Sequence, residues 1–248
     1  MRRVVFIVAL SSVLGAALLA FVLTPPGLLI QNVVAMPVPN APNSLMVTLK
    51  IENPGGPDRL LDVSSEAAKV SVLKAPDVAG VPIPGNSTPS LSMEAGHIML
   101  MGLEDAPGEG TLVPLVLEFE QAGKVAAKAL VKTGTMAHGS GYDISAAETP
   151  PSASISVTQD KEGWLVRITT ENFAFSKDLV DKPHQPETGH GHLYVQGIKI
   201  GRIYSDQTRI GALPKGAHTV RLTLNTNDHR AYRVNGKPIE ALARIEVQ

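Results

Sequence analysis

Along most of the chain, short apolar runs alternate with dense turn signals, and that rhythm predicts strands rather than helices. Leu45-Met46-Val47-Thr48-Leu49-Lys50-Ile51 is apolar-rich and closes at Asn53-Pro54-Gly55-Gly56-Pro57, where Pro and Gly end a regular element. Arg59 to Val63, Lys69 to Leu73, Leu112 to Phe119 and Val125 to Val131 read as further strands. The Gly, Pro and Asn clusters between them recur at spacings close to those of a β-sandwich. Between Thr133 and Ser154 the composition shifts to Gly, Ser, Ala, Thr and Pro, and Pro150-Pro151 stiffens the end, as in a linker. A second set of strands follows: Ala153 to Thr158, Trp164 to Thr169, His192 to Gln196, Lys199 to Ile203, Thr219 to Leu224 and Ala243 to Val247. Val195-Gln196-Gly197 and Val234-Asn235-Gly236-Lys237 carry hairpin chemistry, because such turns need a positive φ that Asn and Gly adopt cheaply. The expected fold is all-β: two β-sandwich domains at 25–133 and 153–248, the second Ig-like, joined by a linker at 134–152.

The N-terminus departs from this pattern. Arg2 and Arg3 precede an apolar run from Val4 to Leu23, interrupted only by Ser11, Ser12 and Gly15. About 20 such residues suffice to cross a hydrocarbon core. The run is longer than the apolar core of a secretory signal, and no clean Ala-x-Ala precedes Thr24-Pro25-Pro26. Residues 1–24 are therefore expected to be a transmembrane or signal helix, with an uncleaved anchor favoured. In either case the arginines stay cytoplasmic and the remainder is exported.

Composition narrows the function. The formal net charge is −1 and aromatics make up only 4%, so no electrostatic case exists for nucleic acid. There is no cysteine. Each half must hold together without disulfides, and soft-metal chemistry falls to methionine and histidine.

Three ordered blocks carry a family likeness: Asp58-Arg59-Leu60-Leu61-Asp62-Val63-Ser64-Ser65, then Glu94-Ala95-Gly96-His97-Ile98-Met99-Leu100-Met101-Gly102-Leu103, then Val113-Pro114-Leu115-Val116-Leu117-Glu118-Phe119-Glu120-Gln121-Ala122-Gly123. Over about residues 33–132 the chain resembles the PCu(A)C-type periplasmic copper chaperones. The resemblance implies a cupredoxin-like sandwich that carries Cu(I) on His and Met side chains. On a strand, residues two apart share a face, so His97, Met99 and Met101 project together. Imidazole and thioether form a soft donor set suited to Cu(I). The family's site also takes a His and a Met from an earlier hairpin; here Leu73 stands where that His is expected, and the Met is missing. His97 and Met99 carry over, with Met93, Met101, Met136 or His138 as candidates to complete the set.

Five of the seven histidines lie after residue 180: His184, His190, His192, His218 and His229. In Gly189-His190-Gly191-His192-Leu193-Tyr194-Val195, strand spacing puts His190, His192 and Tyr194 on one face and Leu193 and Val195 on the other. His-x-His on a strand offers two imidazoles to one metal, and Asn225-Thr226-Asn227-Asp228-His229 offers a third. Asp228 or Glu187 is expected to orient a ring. His184 and His218 read as structural or surface residues.

The function these features predict is an exported, non-enzymatic copper-binding chaperone in the periplasm, tethered to the inner membrane by residues 4–23. It would handle Cu(I) and/or Cu(II) and pass copper to a periplasmic or membrane cuproprotein. The expected metal ligands are His97, Met99, His190, His192 and His229. The alternatives are a metal-dependent enzyme on a three-His site and a metal-free interaction scaffold.

Overall fold

A computed structural model describes residues 27–75, 80–134, 141–145 and 148–248. The apolar N-terminal run and the Met136-Ala137-His138 segment lie outside the described residues. Among those described, every regular element is a strand, and no helix is long and apolar enough to cross a membrane.

In the first half, Leu45, Val47, Leu49 and Ile51 of strand Ser44–Glu52 are buried, while the alternate positions form the opposite face. This is the period-2 pattern of a strand with one face on a core. The strand pairs with Leu29–Pro37 on one side and with His97–Leu103 on the other. Strand Leu29–Pro37 bulges between Gln31 and Val34, with Asn32 at φ 50°, and then runs parallel to Gly123–Val131. The bulge bends one strand so that it serves both layers. Alternation alone does not reveal Leu29–Pro37, because Gln31-Asn32-Val33-Val34 offers no clean polar–apolar rhythm.

In the second half, strands Gly216–Asn225, Thr188–Val195 and Ile198–Ile203 line up with Glu240–Val247 at the edge. A three-stranded sheet of Ser152–Asp160, Gly163–Glu171 and Gln207–Ile210 forms the other layer. Both anticipated hairpin turns are present, with Gln196-Gly197 at φ 43° and 84° and Asn235-Gly236 at φ 52° and 75°. Two consecutive positive φ values are the mark of a type I′ turn.

The two halves are joined by backbone. Ser90–Leu91 pairs with both Ser44–Glu52 and Ile198–Ile203, so one 14-stranded sheet runs through the whole molecule. Gly85 N–H donates to the Ala212 carbonyl at 2.8 Å, and Gly96 N–H donates to the Gly197 carbonyl. Gly211 allows this approach, because a Cβ there would sit 1.8 Å from the Gly85 carbonyl oxygen. The buried apolar residues form one cluster that includes Ile83 and Leu91 from the first half and Leu193 and Ile210 from the second. Within the segment read as a linker, Tyr142–Asp143 forms a short strand parallel to Tyr232–Val234.

Candidate metal centre

Strand Thr188–Val195 lies between Ile198–Ile203 and Gly216–Asn225 in the sheet, away from either edge. Residues Gly189 to Val195 are all buried, including His190 and His192. The polar face expected from the sequence is thus an interior one. The two glycines make this packing possible: a Cβ at Gly189 would lie 2.0 Å from the Asn225 carbonyl oxygen, and one at Gly191 would lie 2.8 Å from Leu222.

His229 reaches the same spot from a tight turn. Thr226 N–H donates to the Arg230 carbonyl at 2.8 Å, and His229 N–H donates to the Thr226 carbonyl at 3.0 Å. Asn225, Thr226 and Asn227 are buried, so the turn is built from enclosed polar groups rather than a loose loop. His229 sits at φ 69°, a left-handed conformation that a non-glycine residue adopts at a cost. That strain aims its ring at the strand.

His190 Nε2 lies 3.0 Å from His192 Nε2 and 3.1 Å from His229 Nδ1, and the three ligand atoms all fall within 4.8 Å of one another. Two nitrogens bound tetrahedrally to one metal at 2.0–2.1 Å would stand about 3.3 Å apart. The imidazoles are therefore close to ligating separation.

Carboxylates hold two of the three rings. His192 Nδ1 lies 3.0 Å from Glu94 Oε2, so Nδ1 carries the proton and donates to the carboxylate. His229 Nε2 donates to Asp181 Oδ1 in the same way. His229 Nδ1 then faces His190 Nε2 with a bare lone pair, and His192 Nε2 faces both His190 Nε2 and Lys199 Nζ, the latter at 3.3 Å. His190 Nε2–H can serve one of these nitrogens, but the opposite ring nitrogen, His190 Nδ1, is buried with no hydrogen-bond partner. Buried nitrogens arranged this way are poor core packing and a good cation site.

The orienting carboxylates differ from those expected. Asp228 bonds Thr226 and Arg230, and Glu187 is exposed in the turn before the strand. Asp181 and Glu94 hold the rings instead, and they come from distant positions, 48 and 98 residues away in the chain. No sequence spacing signals either contact. Glu94 belongs to the first half, and its Oε2 also accepts from Tyr194 O–H at 3.1 Å and Lys199 Nζ at 3.2 Å. The Lys199 ammonium also lies 3.1 Å from His192 Nδ1.

Burial pushes the His190 pKa down to about 3, and the neighbouring His192 and His229 add to the shift. His192 is pushed down by burial as well, against the opposing pull of Glu94. Burial would raise the Glu94 pKa, but its hydrogen bond to His192 and the Lys199 charge outweigh that and hold the carboxyl well below the usual range. Lys199 is lowered by burial, with Glu94 opposing. The strand thus presents a pair of neutral imidazoles, of which His192 is held by the Glu94 carboxylate.

The other candidates lie elsewhere. His97 and Met99 share a half-buried face of strand His97–Leu103 and are not part of the three-His cluster. Leu73 registers with buried Ile98 and not with His97; Lys74 stands opposite His97, and Val72 opposite Met99. A histidine at position 73 would thus sit beside the core residue Ile98 rather than beside His97. His218 is buried with both ring nitrogens engaged, by Gln196 Oε1 at 2.8 Å and the Pro214 carbonyl at 2.6 Å, which makes it structural. His184 packs between the rings of Tyr142 and Tyr232 and faces Glu148.

An LpqE-like family model, whose description is of a lipoprotein, matches residues 28–131. The three histidines of the centre lie outside that match, whereas Glu94 lies within it. No curated protein matches the chain. Among solved structures, the copper-bound PCuAC domain from PmoF2 is 18% identical with a TM-score of 0.39, covering 45% of this chain and 97% of that one. The solution structure of CuI-DR1885 from Deinococcus radiodurans is 23% identical with a TM-score of 0.37, covering 47% and 85%. The fibronectin(III)-like modules of Clostridium thermocellum CbhA are 12% identical with a TM-score of 0.25, covering 89% and 94%.

Proposed function

We propose that this chain is an exported metal-binding protein whose cargo is copper, held by His190, His192 and His229. The observation that carries the reading is the convergence of three imidazole nitrogens, with His192 held by Glu94 and His229 by Asp181. Three imidazole donors suit copper and zinc alike. Copper is favoured by the three sequence blocks that resemble copper chaperones and by the absence of any cysteine. Export, and tethering to the inner membrane by residues 4–23, rest on the arginine-flanked apolar run. A periplasmic or membrane cuproprotein is the acceptor that this placement implies.

The test is metal counting on the full chain, loaded separately with Cu(I), Cu(II) and Zn(II). Wild type is expected to hold copper in a nitrogen-rich site that His190→Ala/His192→Ala abolishes. Retention of the same nitrogen-ligated copper by that variant would overturn the ligand assignment. Binding of zinc alone would overturn the choice of cargo.

A further inference from the structure

Four of the seven methionines sit on one face of the first half, and strand register rather than sequence brings them together. Met36 is the direct cross-strand partner of Met46, and Met46 is the direct partner of Met99. Directly paired residues point to the same side of a sheet, so the three form a row across three adjacent strands. Met101, two residues beyond Met99, shares that face, as does His97 on the other side. Met46 lies on the face opposite the core residues Leu45 and Val47, yet it is only 8% exposed. The flanking residues of the row are half-buried and remain within reach of solvent.

We infer that Met36, Met46 and Met99 form a second metal site, one that takes a soft monovalent cation such as Cu(I) through thioether sulfur. The Cβ atoms of the row span about 10 Å, two interstrand spacings. Methionine has three rotatable bonds and a polarisable sulfur, so the outer two side chains can lean over the central one. The neighbours on this face are Val34, Ser44, Thr48, Val70 and Val72, with Lys74 beyond them opposite His97. None is a carboxylate. Among these described neighbours a hard divalent ion finds no charged oxygen, whereas thioether sulfur selects Cu(I). The site draws on Met99, the position singled out in the sequence, but recruits its partners from Ser44–Glu52 and Leu29–Pro37 instead of the missing hairpin residues. It does not depend on the three-His centre, and the two predict different ligand atoms, sulfur here and nitrogen there.

The experiment uses the full chain carrying His190→Ala/His192→Ala, so that the nitrogen site is removed. The protein, labelled with 13C at the methionine methyls, is titrated anaerobically with Cu(I), and in parallel with Ag(I) as a redox-inert soft cation. One cation should bind per chain, with sulfur neighbours in X-ray absorption and shifts of the Met36, Met46 and Met99 methyl signals. Met93 should not move. Met36→Leu/Met46→Leu keeps the volume and apolar character of the row, and should weaken Cu(I) by about tenfold or more while the methyl spectrum of the remaining residues shows the fold intact. Unchanged Cu(I) affinity in the leucine variant, or nitrogen and oxygen neighbours only, would overturn the site. Loss of all copper in the histidine variant with no methyl shifts would overturn it too.

Discussion

His190 is the residue on which the centre's chemistry turns, because its Nε2 touches both partners. Its folded pKa, pushed down to about 3 by burial, lies below the ordinary histidine value of 6.5. As pH falls from 6.5, the unfolded chain takes up a proton at this position that the folded chain refuses. Stability contributed by the neutral buried ring is therefore complete above 6.5 and declines as pH falls toward 3. His192 and His218, also pushed down chiefly by burial, act in the same direction. Between pH 6.5 and about 4.5, the ordinary glutamate value, the acids contribute little and the histidines set the slope. Urea unfolding of the metal-free protein should show stability falling by up to about 1.4 kcal/mol per pH unit for each such ring. His190→Phe should flatten that slope; an unchanged slope would mean that another group sets it. His190 and His192, held neutral by burial, have no proton to release when a metal binds near pH 7.

At the scale of elements, much is readable from sequence. Many of the longer strands follow from apolar alternation and turn chemistry, though Leu29–Pro37 and Gln207–Ile210 do not, and the His-x-His spacing places His190, His192 and Tyr194 on a common face. His229 is legible as a third imidazole because its segment is polar and ends a strand. What cannot be read is what tertiary register supplies. Glu94 and Asp181 meet the rings from far along the chain, and the row through Met36 and Met46 exists only once three strands are aligned. The interior placement of the His strand is hidden as well, since a strand with polar residues buried on one face looks, in sequence, like one with that face in water. Glu94 supplies an element-scale test. Glu94→Gln keeps the shape and removes the charge that holds the His192 ring, and copper affinity at the three-His centre should fall 10–100-fold. Isothermal titration against wild type measures this, and an unchanged affinity would show that the loop contact is incidental.

For the whole molecule, the question is how firmly two sandwiches act as one body. A shared sheet, a shared apolar cluster and the close approach of Gly211 to Gly85 argue that neither half is an independent bead. Gly211→Ala forces a Cβ to within 1.8 Å of a backbone oxygen, so the halves must separate locally. Denaturant unfolding should report a loss of about 3 kcal/mol. Gly201→Ala, where nothing lies within 4 Å of the added carbon, is the matching control and should cost far less. Equal losses at the two positions would mean that the joint is not under this constraint.

The three imidazoles are unequally accessible. His190 and His192 are sealed inside the sheet, whereas the His229 side chain is 26% exposed and is held by Asp181, which is 73% exposed. Cargo held by all three can leave only by first letting go of the one ligand on a surface turn. On the proposed reading, an acceptor would not compete with the whole site: it would offer one donor in place of His229, and the ion would pass through a shared intermediate. The lifetime of the loaded protein would be governed by the swing of a single ring, and its handover by ligand exchange at that edge.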